Sequence, residues 1–296
     1  MQNLKDRLKR GDVIVGDGAW GTMIMQRGLK HGEAPESVNL SDAGILNEIA
    51  GLYLDAGAEI ITTNTFGAST LRLQPSALDD KADEINRKGV EIIRKAVGGQ
   101  AYVSASVGPT GKLIAPYGKT KPDEVYASFV NQIGALLAAG PDMICVETMT
   151  DLQEAVLAVQ AARSLSAEIP IMATMTFDET PRGFFTIMGV SIEKAAKGLE
   201  AAGATIVGSN CGNGIEKMIT IAGAFKEHTS LPVAIQANAG LPFVQDGQTT
   251  YPETPAFMAE KSLKLLEIGV QVIGGCCGTT PEHIRALRKV IDAIKN

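Results

Sequence analysis

Eight short apolar runs recur along the 296-residue chain. They begin near Val13 (VIVGDGAW), Glu59 (EIITTNTF), Ala101 (AYVSASVG), Met143 (MICVETM), Ile169 (IPIMATMTF), Thr205 (TIVGSNCG), Pro232 (PVAIQANAG) and Val270 (VQVIGGCCG). They are rich in β-branched residues and continuous rather than alternating, which predicts strands buried on both faces. Helical periodicity fills the intervals. Ile45, Ile49, Leu52 and Ala56 fall on one helical face, and Val125, Phe129, Ile133 and Leu136 on another. Thr150-Asp-Leu-Gln153 and Thr279-Thr-Pro-Glu282 read as capping boxes, with Pro281 suited to a first helical turn. Eight alternations of strand and helix, with no low-complexity linker between them, predict one (β/α)8 TIM barrel over residues 1–296. The alternative, an open doubly wound sheet, is weakened because no Gly-x-Gly-x-x-Gly follows the first strand.

Composition narrows the picture. A formal net charge of −6 with no basic stretch argues against nucleic acid as a partner. No apolar segment approaches the roughly 20 residues that span a bilayer, so no membrane insertion is expected. The first ten residues read as an amphipathic helix without the apolar core of a signal peptide. A reducing cytoplasm is the expected compartment, where cysteines serve metals or catalysis more often than disulfides.

The polar residues carry the chemistry. Asp17, Asn64, Glu147, Cys211, Asn238, Cys276 and Cys277 all fall at or just beyond the C-terminal ends of the predicted strands. In a barrel those ends converge on one mouth. Cys145 lies inside an apolar run and reads as packing. Cys211, Cys276 and Cys277 differ, being flanked by glycine or asparagine at strand ends. Three soft thiolates that meet there make a tetrahedral zinc site with one position open for substrate. Cys276 and Cys277 can share one metal only if the backbone turns between them, and Gly274, Gly275 and Gly278 supply the freedom. Asp17 is either a turn residue or a carboxylate beside exposed backbone N–H groups. Glu147 is either a first-turn acid or an ammonium anchor, and its place at the mouth favours the anchor. Asn238 is either a cap of its own loop or a carbonyl that reaches a metal held by the cysteines. His283 reads as a core or surface residue, and His31 and His228 carry no discriminating context.

These segments resemble the homocysteine S-methyltransferases, and most closely the homocysteine-binding barrel of the cobalamin-dependent methionine synthases. The resemblance rests on Asp17-Gly-Ala-Trp-Gly-Thr-Met23, Thr63-Asn-Thr-Phe66, Val107-Gly-Pro-Thr110, Glu147-Thr-Met-Thr-Asp-Leu-Gln153, Asn210-Cys-Gly212, Ala237-Asn-Ala-Gly-Leu-Pro242 and Gly274-Gly-Cys-Cys-Gly-Thr-Thr-Pro281. It implies zinc thiolates at Cys211, Cys276 and Cys277, and Asn238 as the fourth ligand before substrate arrives. It also implies that Asp17 and Glu147 hold the amino group of homocysteine and that the Gly18-Ala19 backbone lies near its carboxylate. No Asp-x-His-x-x-Gly corrinoid motif occurs in the chain, so the resemblance implies a separate subunit or an excised domain. The expected reaction is methyl transfer to homocysteine from a methylcobalamin-bearing corrinoid protein supplied in trans. Asp246, Glu253 and the loop around Pro109–Pro122 are candidates for the docking rim. Two other readings stand beside it. One is a small onium donor such as S-methylmethionine or betaine, with Trp20, Phe66 and Tyr117 as candidate cation–π partners. The other is a non-catalytic thiol- or zinc-binding module of a larger assembly.

Overall fold

In a computed structural model that describes residues 1–30, 32–245 and 248–295, all eight predicted strands form. They are β1 (Ile14–Val15), β2 (Ile60–Thr62), β3 (Tyr102–Val107), β4 (Met143–Met149), β5 (Ile171–Met175), β8 (Ile206–Asn210), β9 (Val233–Ala237) and β12 (Val272–Gly275). Two hairpins, β6–β7 (Asp178–Thr180, Gly183–Phe185) and β10–β11 (Phe243–Gln245, Gln248–Thr250), interrupt the numbering. The eight strands are parallel, in the spatial order β1-β12-β9-β8-β5-β4-β3-β2. A parallel bridge between Gly16 and Ile60 brings the ends together, reinforced by Glu59 N donating to Val15 O at 2.8 Å. The sheet therefore closes on itself, and the open doubly wound alternative is excluded. Among the described residues, no helix is long and apolar enough to cross a membrane.

Side-chain alternation explains why the strand runs are apolar throughout. One parity of each strand packs outward on the helices: Val15, Ile61, Val103, Val146, Ala173, Val207, Ile235 and Ile273 share the main core with them. The other parity fills the bore: Ile14, Ile60, Tyr102, Met143, Cys145, Met172, Ile206, Ala234 and Val272 form a separate cluster. The N-terminal helix Leu4–Lys9, capped by Asn3, pushes Leu4 and Leu8 into that cluster and stoppers the lower end of the barrel. Cys145 is packing, as expected.

Higher in the bore, the same inward parity turns polar. Thr62, Ser104, Ser106, Glu147, Thr174, Asn210 and Gln236 follow the apolar residues one or two steps along their strands. The interior is thus apolar below and polar at the C-terminal mouth.

Local details differ from the sequence expectations in three places, the first being the box Thr279-Thr-Pro-Glu282, where helix Pro281–Lys295 follows Thr280 and the Thr279 hydroxyl donates to Cys276 O instead of capping. Helix Ala43–Asp55 buries Leu46, Ile49, Ala50 and Tyr53, a face turned by about one residue from the predicted Ile45–Ile49–Leu52–Ala56 stripe. In Thr150-Asp-Leu-Gln153 the cap is Asp151, whose side chain accepts from Gln153 N at 2.8 Å. The predicted Val125–Phe129–Ile133–Leu136 face is buried as read.

Candidate active site

Strand ends bring the three cysteines together from positions 65 residues apart. Cys211 follows β8 and Cys276-Cys277 follow β12, and their sulfurs all lie within 4.8 Å of one another. Both segments leave their strands abruptly. Cys211 takes a left-handed backbone (φ 60°), which costs a non-glycine residue about 1–3 kcal/mol and is kept only where surroundings enforce it. The enforcing contacts are Cys211 N donating to Gln236 O, and Thr176 Oγ1 donating to Asn210 O. Cys276 N donates to Ala237 O at 2.7 Å, and Thr279 N donates back to Cys276 O, closing the turn that lets both neighbouring cysteines face inward. Gly278 completes it at φ +78°, where a Cβ would strike the Tyr251 ring.

The donor set fits zinc. Tetrahedral coordination with Zn–S bonds of about 2.3 Å separates two sulfurs by about 3.8 Å, and Cys211 Sγ stands 3.7 Å from Cys277 Sγ. Asn238, buried at the end of β9, supplies a second sign of fit: its Oδ1 has no hydrogen-bond partner. Its side chain lies against Cys211, behind the thiols rather than on the open cavity wall. The cluster concentrates negative charge on one sulfur. Cys276 and Cys277 donate to Cys211 and pull its thiol down, while the same contacts and burial push Cys276 and Cys277 up.

A cavity of about 270 Å³ opens beside the sulfurs. Asp17 and Glu147 face it. Asp17 is 1% exposed and accepts three hydrogen bonds: Trp20 Nε1 (2.7 Å) and Thr62 N (2.7 Å) on Oδ2, and Thr62 Oγ1 (2.9 Å) on Oδ1. Burial nevertheless outweighs those donors and pushes its carboxyl up to about 6. Glu147 keeps accessible surface only partially and is enclosed by protein; burial, opposed by Ser106 Oγ donating to Oε1 and reinforced by Asp17, raises it to about 7. Asn210 Nδ2 reaches Glu147 Oε2 at 3.4 Å and Thr148 Oγ1 at 2.7 Å, while its Oδ1 accepts from Thr148 N. One asparagine thus links the acid, the left-handed Thr148 (φ 59°) and the strand that carries Cys211.

The remaining expectations sort as follows. Gly18 and Ala19 line the cavity, but the Ala19 N–H is committed to Thr279 Oγ1 at 3.2 Å. Trp20 and Phe66 are on the wall, whereas Tyr117 is 75% exposed on a loop outside it. Asn64 lines the cavity and is held through Nδ2 by Pro35 O and Asn39 Oδ1. His283 is structural: Nδ1 meets Thr280 and Nε2 meets Glu253 O. Glu253 is half-buried and accepts from Ile215 N at the start of helix Ile215–His228, so it is a helix-positioning acid rather than a rim charge. Asp246 and His31 lie outside the described residues. Glu36 and Gln236 are among the wall residues that the sequence reading does not single out, as are Thr62 and Ser106, which hold Asp17 and Glu147. Glu36 is a buried carboxylate that accepts from Gly67 N at 2.6 Å. Gln236, from β9, is 94% buried and faces the cavity. Its signal was available: a lone polar residue of inward parity, two before Asn238.

A closed eight-stranded barrel with three thiols and three carboxyls around one cavity at its strand ends defines a barrel enzyme with a candidate metal centre. Residues 14–291 match the model of the homocysteine S-methyltransferase family, and the chain belongs to that family. Relatives include the methionine synthases of Mycobacterium tuberculosis (31% identical over 96% of this chain) and Mycobacterium leprae (30% over 94%). The chain spans about a quarter of their length. Among solved structures, the metallated homocysteine methyltransferase MmuM of Escherichia coli superposes with a TM-score of 0.80 at 22% identity, covering 97% of this chain and 99% of that one. The carboxyl transferase domain of Rhizobium etli pyruvate carboxylase shares the barrel more distantly, with a TM-score of 0.53 at 17% identity over 99% of this chain and 51% of that one.

Proposed function

We propose that the chain transfers a methyl group to the sulfur of homocysteine, giving methionine, with zinc held by Cys211, Cys276 and Cys277 and the methyl group delivered by a methylcorrinoid protein in trans. The observation that carries this reading is the convergence of three sulfurs within 4.8 Å on a cavity that also holds Asp17 and Glu147. A zinc ion bound there supplies the Lewis acidity that keeps a thiol deprotonated at neutral pH. Asn238, whose Oδ1 is otherwise unpartnered, is the side chain that would supply a fourth ligand to such an ion in the absence of substrate.

The other residues bind and orient. Asp17 and Glu147 sit near their titration points in the empty cavity, so an arriving ammonium draws both into the ionised form. Asp17 is held rigid by Trp20 and Thr62, and Glu147 by Ser106 and Asn210, so the amino acid is fixed relative to the thiols. Such alignment lowers a bimolecular barrier by several kcal/mol. The sulfur's electron pair forms the new S–CH3 bond, and the donor leaves with the electrons of the bond that breaks.

Support for a protein-borne donor comes from the rim. Leu113, Tyr117, Ile187, Leu241 and Val244 are exposed apolar side chains on the loops and hairpins beyond the strand ends. The similarity to methionine synthases, of which the chain matches about a quarter, points the same way. A second reading has its own observation: Trp20 and Phe66 on the cavity wall suit a small sulfonium or ammonium donor. The test is a donor screen on zinc-loaded protein, with homocysteine and methylcobalamin, S-methylmethionine or betaine in separate reactions and methionine quantified. Methionine from methylcobalamin alone is the expected result. Methionine from an onium donor alone selects the second reading, and none from any donor leaves a binding module.

A further inference from the structure

We propose that Gln236 is a specificity residue of this site, its side-chain carbonyl accepting a hydrogen bond from the α-ammonium group of the amino-acid thiol. The inference rests on the reading of the cavity as the homocysteine site.

The argument starts from polar accounting. A buried carbonyl oxygen without a donor costs about 1–3 kcal/mol, so native proteins rarely leave one unless a ligand or water completes it. Several buried side-chain atoms lack partners, among them Ser104 Oγ, Asn238 Oδ1 and Gln236 Oε1. Ser104 and Asn238 do not line the cavity. Of the described residues, Gln236 alone combines an unpartnered buried oxygen with a place on the cavity wall that also holds Asp17, Glu147 and Cys276; the oxygen is covered by its neighbours, and a half-turn of the terminal amide, a soft rotation, brings it to the cavity side now taken by Nε2.

The local fold makes room for this side chain. Gln236 on β9 pairs with Gly274 on β12, and Gly274 in turn packs against Gly16 at the end of β1. An added Cβ on Gly16 would stand 3.5 Å from Gly274 Cα and 4.0 Å from Gln236 Nε2. Two adjacent strands that present glycine let the amide reach across them towards the residue after Gly16, which is Asp17.

The acceptor count then matches one ligand group. An ammonium offers three N–H donors. Asp17 Oδ1 receives only Thr62 Oγ1, Glu147 Oε2 receives only a long contact from Asn210, and Gln236 Oε1 receives nothing. A neutral acceptor beside Asp17 and Glu147 completes the triad without adding a further negative charge to a crowded, buried site. A thiol lacking the amino group gains nothing from Gln236.

The experiment titrates zinc-loaded protein calorimetrically with L-homocysteine and with 4-sulfanylbutanoate, which keeps the thiol and carboxylate but lacks the ammonium. Two variants are compared with the wild type: Gln236→Met, near-isosteric without the acceptor, and Gln236→Glu, which restores an oxygen there. Zinc content and melting temperature are recorded for each. Gln236→Met is expected to bind L-homocysteine roughly ten- to a hundredfold more weakly, the size of one hydrogen bond to a charged group. Its affinity for 4-sulfanylbutanoate should stay within about twofold, and Gln236→Glu should recover L-homocysteine binding. Equal weakening for both thiols, or no weakening for either, overturns the proposal. If Gln236→Met fails to fold, Gln236→Glu decides alone: binding of L-homocysteine at wild-type strength or tighter supports it, and a loss shared by both thiols overturns it. A wild-type protein that binds neither thiol overturns the reading of the cavity, and this inference with it.

Discussion

Asp17→Asn should make the protein more stable and a worse binder at once. Asp17 Oδ2 accepts from Trp20 Nε1 and Thr62 N, and Oδ1 accepts from Thr62 Oγ1. An asparagine with its carbonyl oxygen in the Oδ2 position keeps the first two bonds, and its NH2 donates to a rotated Thr62 hydroxyl. The amide keeps three hydrogen bonds, as many as the carboxylate has, so the chief change is removal of a buried charge. The fold raises this carboxyl from 3.8 to about 6. At about 1.4 kcal/mol per tenfold, ionising it in the native state costs about 3 kcal/mol. The sign follows from proton uptake. Between pH 3.8 and about 6 the folded chain holds a proton that the unfolded chain has released, so stability falls as pH rises through that window. The whole cost is present above it and none below. Asp17→Asn therefore changes nothing at pH 3.5 and stabilises by about 3 kcal/mol at pH 8. Relief of the repulsion on Glu147 adds in the same direction. For 296 residues, an unfolding entropy of about 0.6 kcal/mol/K turns 3 kcal/mol into a melting shift of about 5 °C. The assay is thermal unfolding of metal-free wild type and variant at both pH values, where thiol titration is common to the two chains. Zinc-loaded Asp17→Asn should at the same time bind homocysteine roughly ten- to a hundredfold more weakly. A variant that melts no higher than wild type at pH 8, with homocysteine binding intact, refutes both halves of the reasoning.

Three further substitutions separate the metal from the substrate. Cys276→Ala or Cys277→Ala leaves two sulfurs of the three, so zinc should no longer remain stoichiometric through gel filtration, as read by elemental analysis; full metal retention with full activity contradicts the three-thiolate centre. Glu147→Gln should weaken homocysteine binding roughly ten- to a hundredfold while zinc content stays at wild type, and equal loss of both would show that Glu147 supports the metal instead.

What the sequence made legible follows from how each feature is encoded. Strands buried on both faces are apolar over most of their length, polar only at the inward positions of the mouth, so all eight runs stand out and all eight are strands. The hairpins at Asp178–Phe185 and Phe243–Thr250 did not, because short exposed ribbons carry neither a continuous apolar run nor a long alternation. The buried face of helix Ala43–Asp55 was misjudged by one residue for the opposite reason. Nearly every position there is apolar, and a step of about 100° separates one acceptable stripe from the next. Capping turned on backbone angles rather than residue type: Asp151, extended at φ −101° and ψ 121°, is the cap, and Thr150 precedes it.

The site divides along the same line. Cysteines and acids at strand ends announce themselves by type, and the barrel brings Asp17, Glu147, Cys211, Cys276 and Cys277 to one cavity. Residues whose role depends on parity and on their neighbours' lack of bulk stay hidden. Gln236 matters because Gly274 and Gly16 leave space for its amide, a relation between three strands that no single segment records. The polar upper bore is also costly, with a carboxyl forced up to about 6 and two left-handed residues, Thr148 and Cys211, held at its edge. Each such device destabilises the fold by about 1–3 kcal/mol. They persist because the apolar lower bore and its Leu4–Leu8 stopper hold the barrel closed independently of them, which leaves the mouth free to be built for a ligand rather than for stability.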